Sequence, residues 1–544
     1  MRSFHCLAGP GSHGNRGTGP RTGVRAAAAA RTAAVALAAA TSVTVAACGG
    51  QATGTSRTSS SGEPGEVLTV GFSVQAPETL DPAKAPQNYA WFEELAYEPL
   101  IVQRSDGSLA PGLATSWAYT GTGNTTFVLH LRQGVKFSDG SPLTAQDVAD
   151  DLGYAVKSAG QMSPFLAGDT FTATGPLTVT IRASSPNPDF PQIFTQDDVV
   201  GDIISAKGLQ SPSLLGTRTF GAGPYMLDAS ATVTGDQYTY VPNPNYYDKA
   251  AVHWKKVVVR VITDPQSMLN AMKTGQVEVA NGDPTTIAAA TSTGLTVTST
   301  PDLWMGATLA DRGGVLAKPL ANAQVRMALN YATDRSAISK ALFPGTGAAT
   351  SQLVPPGGYG YDPGLTSAYP YDVSKAKQLL AAAGYPHGFS LRIVTGDYGG
   401  ENLMAQALAQ QWQQVGVNLQ VTDDANSNQF YAAAFGAKFP AFMTVFGQVP
   451  TWIEGPSLFL APASYNPFHT ASASLASLYQ QEARSSGAQQ VLLDQQIEQY
   501  LVNQAWFVPI VTIGLPYYAT SVVTGTATSA KAPLLELYEV RPAG

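Results

Sequence analysis

Apolar and polar residues alternate in the first ordered stretches of this chain. Val67–Phe72 reads VLTVGF and predicts a buried strand. In residues 127–132 the apolar Phe127, Leu129 and Leu131 fall on one face, and residues 178–182 and 237–241 alternate in the same way. Residues 256–262 are a dense valine run, which predicts a central strand buried on both faces. Beyond about residue 320 the period changes. Val325, Ala328, Leu329, Ala332 and Ile338 recur close to helical spacing and predict a helix over 322–342. A second helix over 372–383 is ended by Gly384 and Pro386. A strand (390–394), a helix (401–415, ended by Gly416) and a strand (417–421) then form a βαβ unit with parallel strands. The first half is strand-rich and the second half α/β, which predicts two lobes of different make-up. No sequence repeat is visible.

The segment before Val67 carries a different pattern. Arg2, Arg16, Arg21, Arg25 and Arg31 precede an apolar, alanine-rich stretch with no acid among them. The stretch from Thr32 to Ala47 is too short and too weakly apolar for a good membrane span. It closes on Val45-Ala46-Ala47-Cys48, small residues before a cysteine, which looks like a bacterial lipobox. The expectation is export, cleavage before Cys48, and a diacylglycerol on its thiol. The long Gly- and Pro-rich lead suggests a translation start further in, at Val24. Gln51 to Gly65 is rich in Ser, Thr and Gly and reads as a flexible tether.

Composition narrows the function classes. The chain has 544 residues, too many for one core, so two or more domains are expected. Taking the five signal arginines from the 31 basic residues leaves 26 against 38 acids, a net of about −12 for the mature part. A basic nucleic-acid-binding face is therefore not expected. The two cysteines are Cys6, which leaves with the signal, and Cys48, so the mature fold has no disulfide and no thiol nucleophile. The chain lacks a Gly-x-Ser-x-Gly elbow, a His-Glu-x-x-His motif and a phosphate loop. Phe220-Gly-Ala-Gly-Pro224 lacks the third glycine of a dinucleotide site. His130, His253, His387 and His469 are far apart in sequence, and the acid pairs Asp150-Asp151, Asp197-Asp198 and Asp423-Asp424 read as loop or cap residues. No catalytic residue, metal site or cofactor is assigned, and a secreted hydrolase is disfavoured.

Several segments, taken in order, resemble one family: the large extracellular solute-binding proteins of bacterial peptide and nickel importers. They are Leu80-Asp-Pro-Ala83, Tyr97-Glu-Pro-Leu-Ile101, and Leu109-Ala-Pro-Gly-Leu-Ala114 with Ser116-Trp117. The most specific is FVLHLRQGVKFSDGSPLTAQDV, from Phe127 to Val148. Gly221-Ala-Gly-Pro-Tyr225, Asn243-Pro-Asn-Tyr-Tyr247, the run from Val325 to Arg335, and Tyr371 to Leu380 with Ala383-Gly-Tyr-Pro386 follow. The match thins after about residue 425. Within these motifs Thr144 and Asp147 read as a helix start, and Arg326 and Arg335 as members of structural ion pairs.

The resemblance implies an α/β, two-lobed periplasmic-binding-protein-like fold (type II, cluster C) with hinge strands and an extra subdomain in lobe one. The expected organisation is a lipoprotein signal peptide (1–47), a tether (48–66), lobe one (67–302, subdomain about 109–220), lobe two (303–507) and a return to lobe one (508–544). Crossings are expected near Pro301 to Leu309 and Trp506 to Ile513. The implied function is a monomeric, lipid-anchored receptor on the outer face of the cell membrane. It would capture a peptide or other small solute and deliver it to ABC permease and ATPase subunits. A sensor on the same fold, or a receptor for a non-peptide solute such as an oligosaccharide, remains open.

Candidate ligand-binding residues come from the aromatics. Trp304 lies near the first crossing and Trp452 in a loop-like stretch of lobe two, while Trp412 reads as core and Trp117 as structural. Asn88, Tyr89 and Trp91 follow the first strand. Peptide-binding relatives often place an aspartate after a tryptophan in lobe two, paired with the peptide's amino terminus. The corresponding stretch here, Val445 to Pro456, has no aspartate; Glu454 is its only acid. Phe446, Gln448 and Thr451 complete the candidate set, with Gln448 and Thr451 suited to a neutral group.

Overall fold

The computed structural model describes residues 65–424 and 426–544. The expected signal, Cys48 and all of the tether but Gly65 and Glu66 lie outside the described residues. Two large sheets carry the two lobes. The first has seven strands in the order Thr296–Thr298, Tyr517–Ala519, Val279–Asn281, Leu68–Phe72, Val257–Val261, Gln237–Pro242, Tyr225–Leu227. Leu68–Phe72 is its axis, paired in parallel with Val257–Val261 on one side and Val279–Asn281 on the other. Val257 and Val259 are fully buried, but Val258 and Val261 are only half-buried, so the valine run is not covered on both faces as its composition predicts. Helix Pro265–Lys273 packs on the neighbouring strand at Gly71, where a Cβ would sit 2.3 Å from the Met268 sulfur.

The subdomain is built on a four-stranded antiparallel sheet in the order Ala114–Tyr119, Thr126–Leu131, Thr178–Arg182, Thr170–Gly175. Phe127, Leu129 and Leu131 point into its core, as their alternation predicts. Helix Ala145–Lys157 packs on this sheet and opens with a capping box. The Asp147 N–H donates to Thr144 Oγ1 at 3.3 Å, and the Thr144 N–H donates to Asp147 Oδ2 at 2.8 Å.

The other large sheet has six strands in the order Ala348–Ala349, Phe507–Ile513, Leu303–Thr308, Ala441–Gly447, Phe389–Thr395, Val417–Asp423. Phe389–Thr395 and Val417–Asp423 run parallel and are joined by helix Glu401–Gln413, the βαβ unit expected from sequence. Trp412 in that helix is fully buried, with its indole N–H on Thr333 Oγ1 at 3.0 Å. The expected single helix over 322–342 is two, Ala323–Tyr331 and Arg335–Leu342. The break falls where Asp334 turns its carboxylate to the Ala337 N–H at 2.9 Å and caps the second helix.

Among the described residues Arg326 and Arg335 form no ion pair, contrary to expectation. Arg326 donates to the carbonyls of Leu320 and Gln504, and Arg335 to those of Thr350, Pro509, Asn330 and Tyr369. Both guanidiniums act as multi-armed donors that tie off backbone at chain turns.

The stretches expected to cross between lobes, Pro301 to Leu309 and Trp506 to Ile513, hold the paired strands Leu303–Thr308 and Phe507–Ile513 of the six-stranded sheet. The chain passes between the large sheets just outside them, at 299–302 and 514–516. These two segments run side by side. The Asp302 N–H donates to the Ile513 carbonyl at 3.0 Å and Ser299 Oγ to the Gly514 carbonyl at 3.0 Å. Gly514 is required by the close approach, since a Cβ there would lie 2.2 Å from the Thr300 carbonyl oxygen.

Candidate functional site

The short helix Thr451–Glu454 follows strand Ala441–Gly447 and carries three of the candidate residues on one turn. Gly455 sets its position. A Cβ at Gly455 would meet the Tyr479 ring at 2.5 Å, so glycine lets the turn lie directly on helix Ala473–Glu482. Tyr479 then donates its hydroxyl to the Trp452 carbonyl at 2.5 Å. Held this way, Trp452 reaches across to the subdomain. Its indole N–H donates to the Pro186 carbonyl at 3.0 Å, and its ring lies 5.7 Å from that of Phe165. The residue is 8% exposed and belongs, with Ile453, to the apolar cluster of the four-stranded sheet.

Other contacts join the same two surfaces. The Asn124 amide donates to the carbonyls of Ala483 (3.1 Å) and Ser485 (2.8 Å), and Gln192 donates to the Tyr359 hydroxyl at 3.0 Å. Gln490 Nε2 donates to Asp189 Oδ1 at 3.1 Å and to Glu482 Oε1 at 3.0 Å. The four-stranded subdomain and the segments at 359 and 452–490 are in direct contact here.

Carboxyl groups crowd the closed surface. Asp189 comes from the subdomain, Glu482 from the end of helix Ala473–Glu482, and Asp494 and Glu498 from helix Gly487–Asn503. Glu454 joins them from the Trp452 turn, and the Glu498 and Asp494 charges add to burial in raising its carboxyl well above the usual range. Burial pushes Asp494 up to about 6 against the opposing hydrogen bond from Thr451 and the charge of Lys531, and pushes Glu498 up to about 7 against the N–H groups of Leu353 and Val354. Asp189 and Glu482 are raised by burial first and by neighbouring negative charge second. The ion pairs found among the described residues are Lys84–Asp81, Lys207–Asp139 and Lys255–Glu66, and none involves these five acids.

A pH dependence follows from these shifts. A carboxyl whose folded value lies above its unfolded value holds its proton better in the fold, so it opposes folding once the proton leaves. Asp494 faces Glu454, Glu482, Asp189 and the Lys531 cation; Glu498 faces Glu454 and backbone N–H groups. The stability of the ligand-free protein is therefore expected to fall as pH rises from about 4 through about 9, where Glu482 loses its proton. Thermal unfolding at pH 5.5 and pH 8 checks this, with the higher midpoint expected at pH 5.5.

The remaining candidates separate into two groups. Trp304 and Phe446 lie opposite each other on paired strands and enter one apolar cluster of the six-stranded sheet. Trp304 is 2% exposed and edge-on to Phe507 at 5.6 Å; its indole N–H is buried with no acceptor. Phe446 packs edge-on to Tyr465 at 5.5 Å. Gln448 donates its backbone N–H to the Asp302 carbonyl at 2.6 Å and its amide to the Val449 carbonyl at 2.9 Å, next to the crossing segments. Tyr89 and Trp91 turn into the core of the seven-stranded sheet. Their rings lie 5.6 and 6.1 Å from Phe72, and the Trp91 N–H donates to the Leu535 carbonyl at 2.6 Å. Asn88 beside them is half-buried. The structure thus brings Thr451, Trp452 and Glu454 together, and places Tyr89 and Trp91 in a separate core.

Sequence reasoning missed Asp189, Glu482, Gln490, Asp494 and Glu498. One signal was available. In helix Gly487–Asn503 the acids Asp494 and Glu498 are spaced four apart beside the buried Leu493, Ile497 and Leu501, so they sit on the apolar face.

Comparison with known proteins bears on the family and the fold. Residues 108–466 match the model described as bacterial extracellular solute-binding proteins, family 5 Middle. The chain is 28% identical over 370 residues to the glutathione-binding protein GsiB of Salmonella paratyphi A, covering 65% of this chain and 69% of the relative. Among solved structures, the substrate-binding protein CtaP of Listeria monocytogenes superposes with a TM-score of 0.76 at 19% identity, over 89% of this chain and 100% of that one. DppA of Helicobacter pylori, solved with the peptide STSA, superposes with a TM-score of 0.69 at 20% identity, over 88% and 98%. Among the described residues no helix is long and apolar enough to cross a membrane. With the family match spanning most of the chain and the two-lobed fold in place, the protein belongs to the bacterial extracellular solute-binding proteins of family 5.

Proposed function

We propose that this chain is the solute-capturing component of an ABC importer, held at the outer face of the cell membrane by lipid on Cys48. It takes a peptide or peptide-like solute between its lobes and presents it to a permease whose ATPase subunits supply the energy. The observation that carries the reading is the Trp452 contact, a side chain of one lobe seated on Pro186 and Phe165 of the other. Such a contact forms only when the lobes close, and a solute that touches both lobes favours that state. The paired crossings at 299–302 and 514–516 serve as the hinge, with lobe one over 67–302, lobe two over 303–507 and the return over 508–544. Gln448, Thr451, Trp452 and Glu454 supply the lobe-two side of the site, with Trp304 and Phe446 behind them. Glutathione binding by the GsiB relatives and the peptide held by DppA support a peptide-like solute.

Two experiments test this reading. Mass spectrometry of solute carried through native purification should recover a peptide-like molecule, and a protein that neither carries nor binds any solute refutes it. Cys48→Ala should move the protein from the membrane fraction to the soluble fraction, since a firm anchor needs its acyl chains. Unchanged retention refutes lipidation.

A further inference from the structure

Three carboxylates from opposite lobes meet where the clamp closes. Asp189 is 6% exposed, Glu482 0% and Asp494 4%. The Gln490 amide occupies Asp189 Oδ1 and Glu482 Oε1, and Thr451 bonds to Asp494. Glu482 Oε2 and Asp494 Oδ1 are left buried with no donor, while Asp189 takes the Gln490 amide and the Trp452 backbone N–H. A buried carboxylate is ordinarily paired or hydrogen-bonded on both oxygens, because an uncompensated one costs several kcal/mol. Here two go short together, beside a third buried carboxyl. Lys531 is the cation that acts on Asp494, and it does so from an exposed position, with its ammonium 5.0 Å from the Tyr359 ring centre.

Closure makes this arrangement worse for the empty protein. It brings Asp189 of one lobe against Glu482 and Asp494 of the other and removes water from all three, so each of these carboxyls that ionises opposes the closed state. A positively charged solute reverses the sign, because it is attracted to both lobes at once and most strongly when they are dry. A single ammonium neutralises one of three carboxylates, with Glu454 and Glu498 still behind them. The rings of Trp452, Tyr359 and Tyr479 at the same surface suit alkyl-ammonium or guanidinium groups.

We propose that the cleft selects a solute with two or more positively charged nitrogens, an aliphatic polyamine or a peptide with basic side chains, held between Asp189, Glu482 and Asp494. This rests on the importer reading and narrows its substrate class.

Calorimetric titration of the full chain at pH 8 and low salt, with spermidine, trilysine, trialanine and triglutamate as probes, tests it. One of the two cations should bind about a hundredfold tighter than trialanine or triglutamate, and the tighter of the two identifies the source of the charge. Asp189→Asn and Glu482→Gln should each weaken cation binding about tenfold. The same substitutions should raise the thermal midpoint of the ligand-free protein, whereas a merely structural role for these acids would lower it. The proposal is overturned if trialanine or triglutamate binds as tightly as the cations, if neither cation binds, or if the amide variants keep full cation affinity. A neutral solute recovered from native purification would overturn it too, while leaving the importer reading intact.

Discussion

Trp452→Ala is expected to weaken solute binding by about 2 kcal/mol, roughly thirtyfold in Kd, with little change in the unfolding midpoint of either lobe. The indole is buried by the opposite lobe, through Phe165 and the Pro186 carbonyl, and not by the sheet that carries it. Its removal therefore acts on the closed state. Since apparent affinity scales with the fraction of protein able to close, the loss appears in Kd. Trp452→Phe should recover part of it by keeping the ring contact and losing the N–H bond to Pro186. Calorimetric titration beside thermal unfolding separates the two effects, and unchanged affinity in the alanine variant removes Trp452 from the clamp. Trp304→Ala provides the contrast. That side chain packs on Phe507 inside the six-stranded sheet's cluster, and its loss leaves a cavity expected to cost about 3–5 kcal/mol of stability.

Arg335→Ala is expected to destabilise the six-stranded lobe by about 4 kcal/mol or more. The guanidinium is buried and donates to the carbonyls of Thr350 (2.9 Å), Pro509 (2.7 Å), Asn330 (3.0 Å) and Tyr369 (3.1 Å), and to Asn330 Oδ1 at 2.6 Å. One side chain thus gathers a helix, a strand and two connecting segments. Alanine leaves those acceptors buried without a donor, and each orphaned acceptor costs about 1–3 kcal/mol before relaxation. Arg335→Lys should restore only part of the loss, because an ammonium on a flexible stem cannot match the planar fork. Denaturant unfolding measures both variants. A loss below about 1 kcal/mol for alanine would show that water or neighbouring groups replace the bonds.

Which features were legible in the sequence follows from how local their causes are. The strand at 127–132 and the βαβ unit at 389–423 were legible because each rests on a short-range period that one face of a sheet enforces. The helix break at Asp334 was missed because the apolar spacing continues through it, while the cap competes for the same backbone. The ion pairs expected for Arg326 and Arg335 were misread because a guanidinium motif gives the donor and not the acceptor, and backbone carbonyls carry no sequence signature. At the candidate site, Trp452 and Glu454 were legible as the unusual residues of one stretch. Asp189, Glu482 and Asp494 were not, since about three hundred residues separate the first from the other two.

The sequence by itself determined the two-lobed family fold, the position of its main strands and the lack of known catalytic motifs, because periodicity, turn chemistry and ordered motifs are written locally along the chain. Only the tertiary structure decided which side chains face each other across the closing lobes. Trp452 meets Pro186 across 266 positions of chain, and Asp189 meets Gln490 across 301. Contacts at that separation depend on how distant segments pack in the tertiary fold, and no local pattern encodes that.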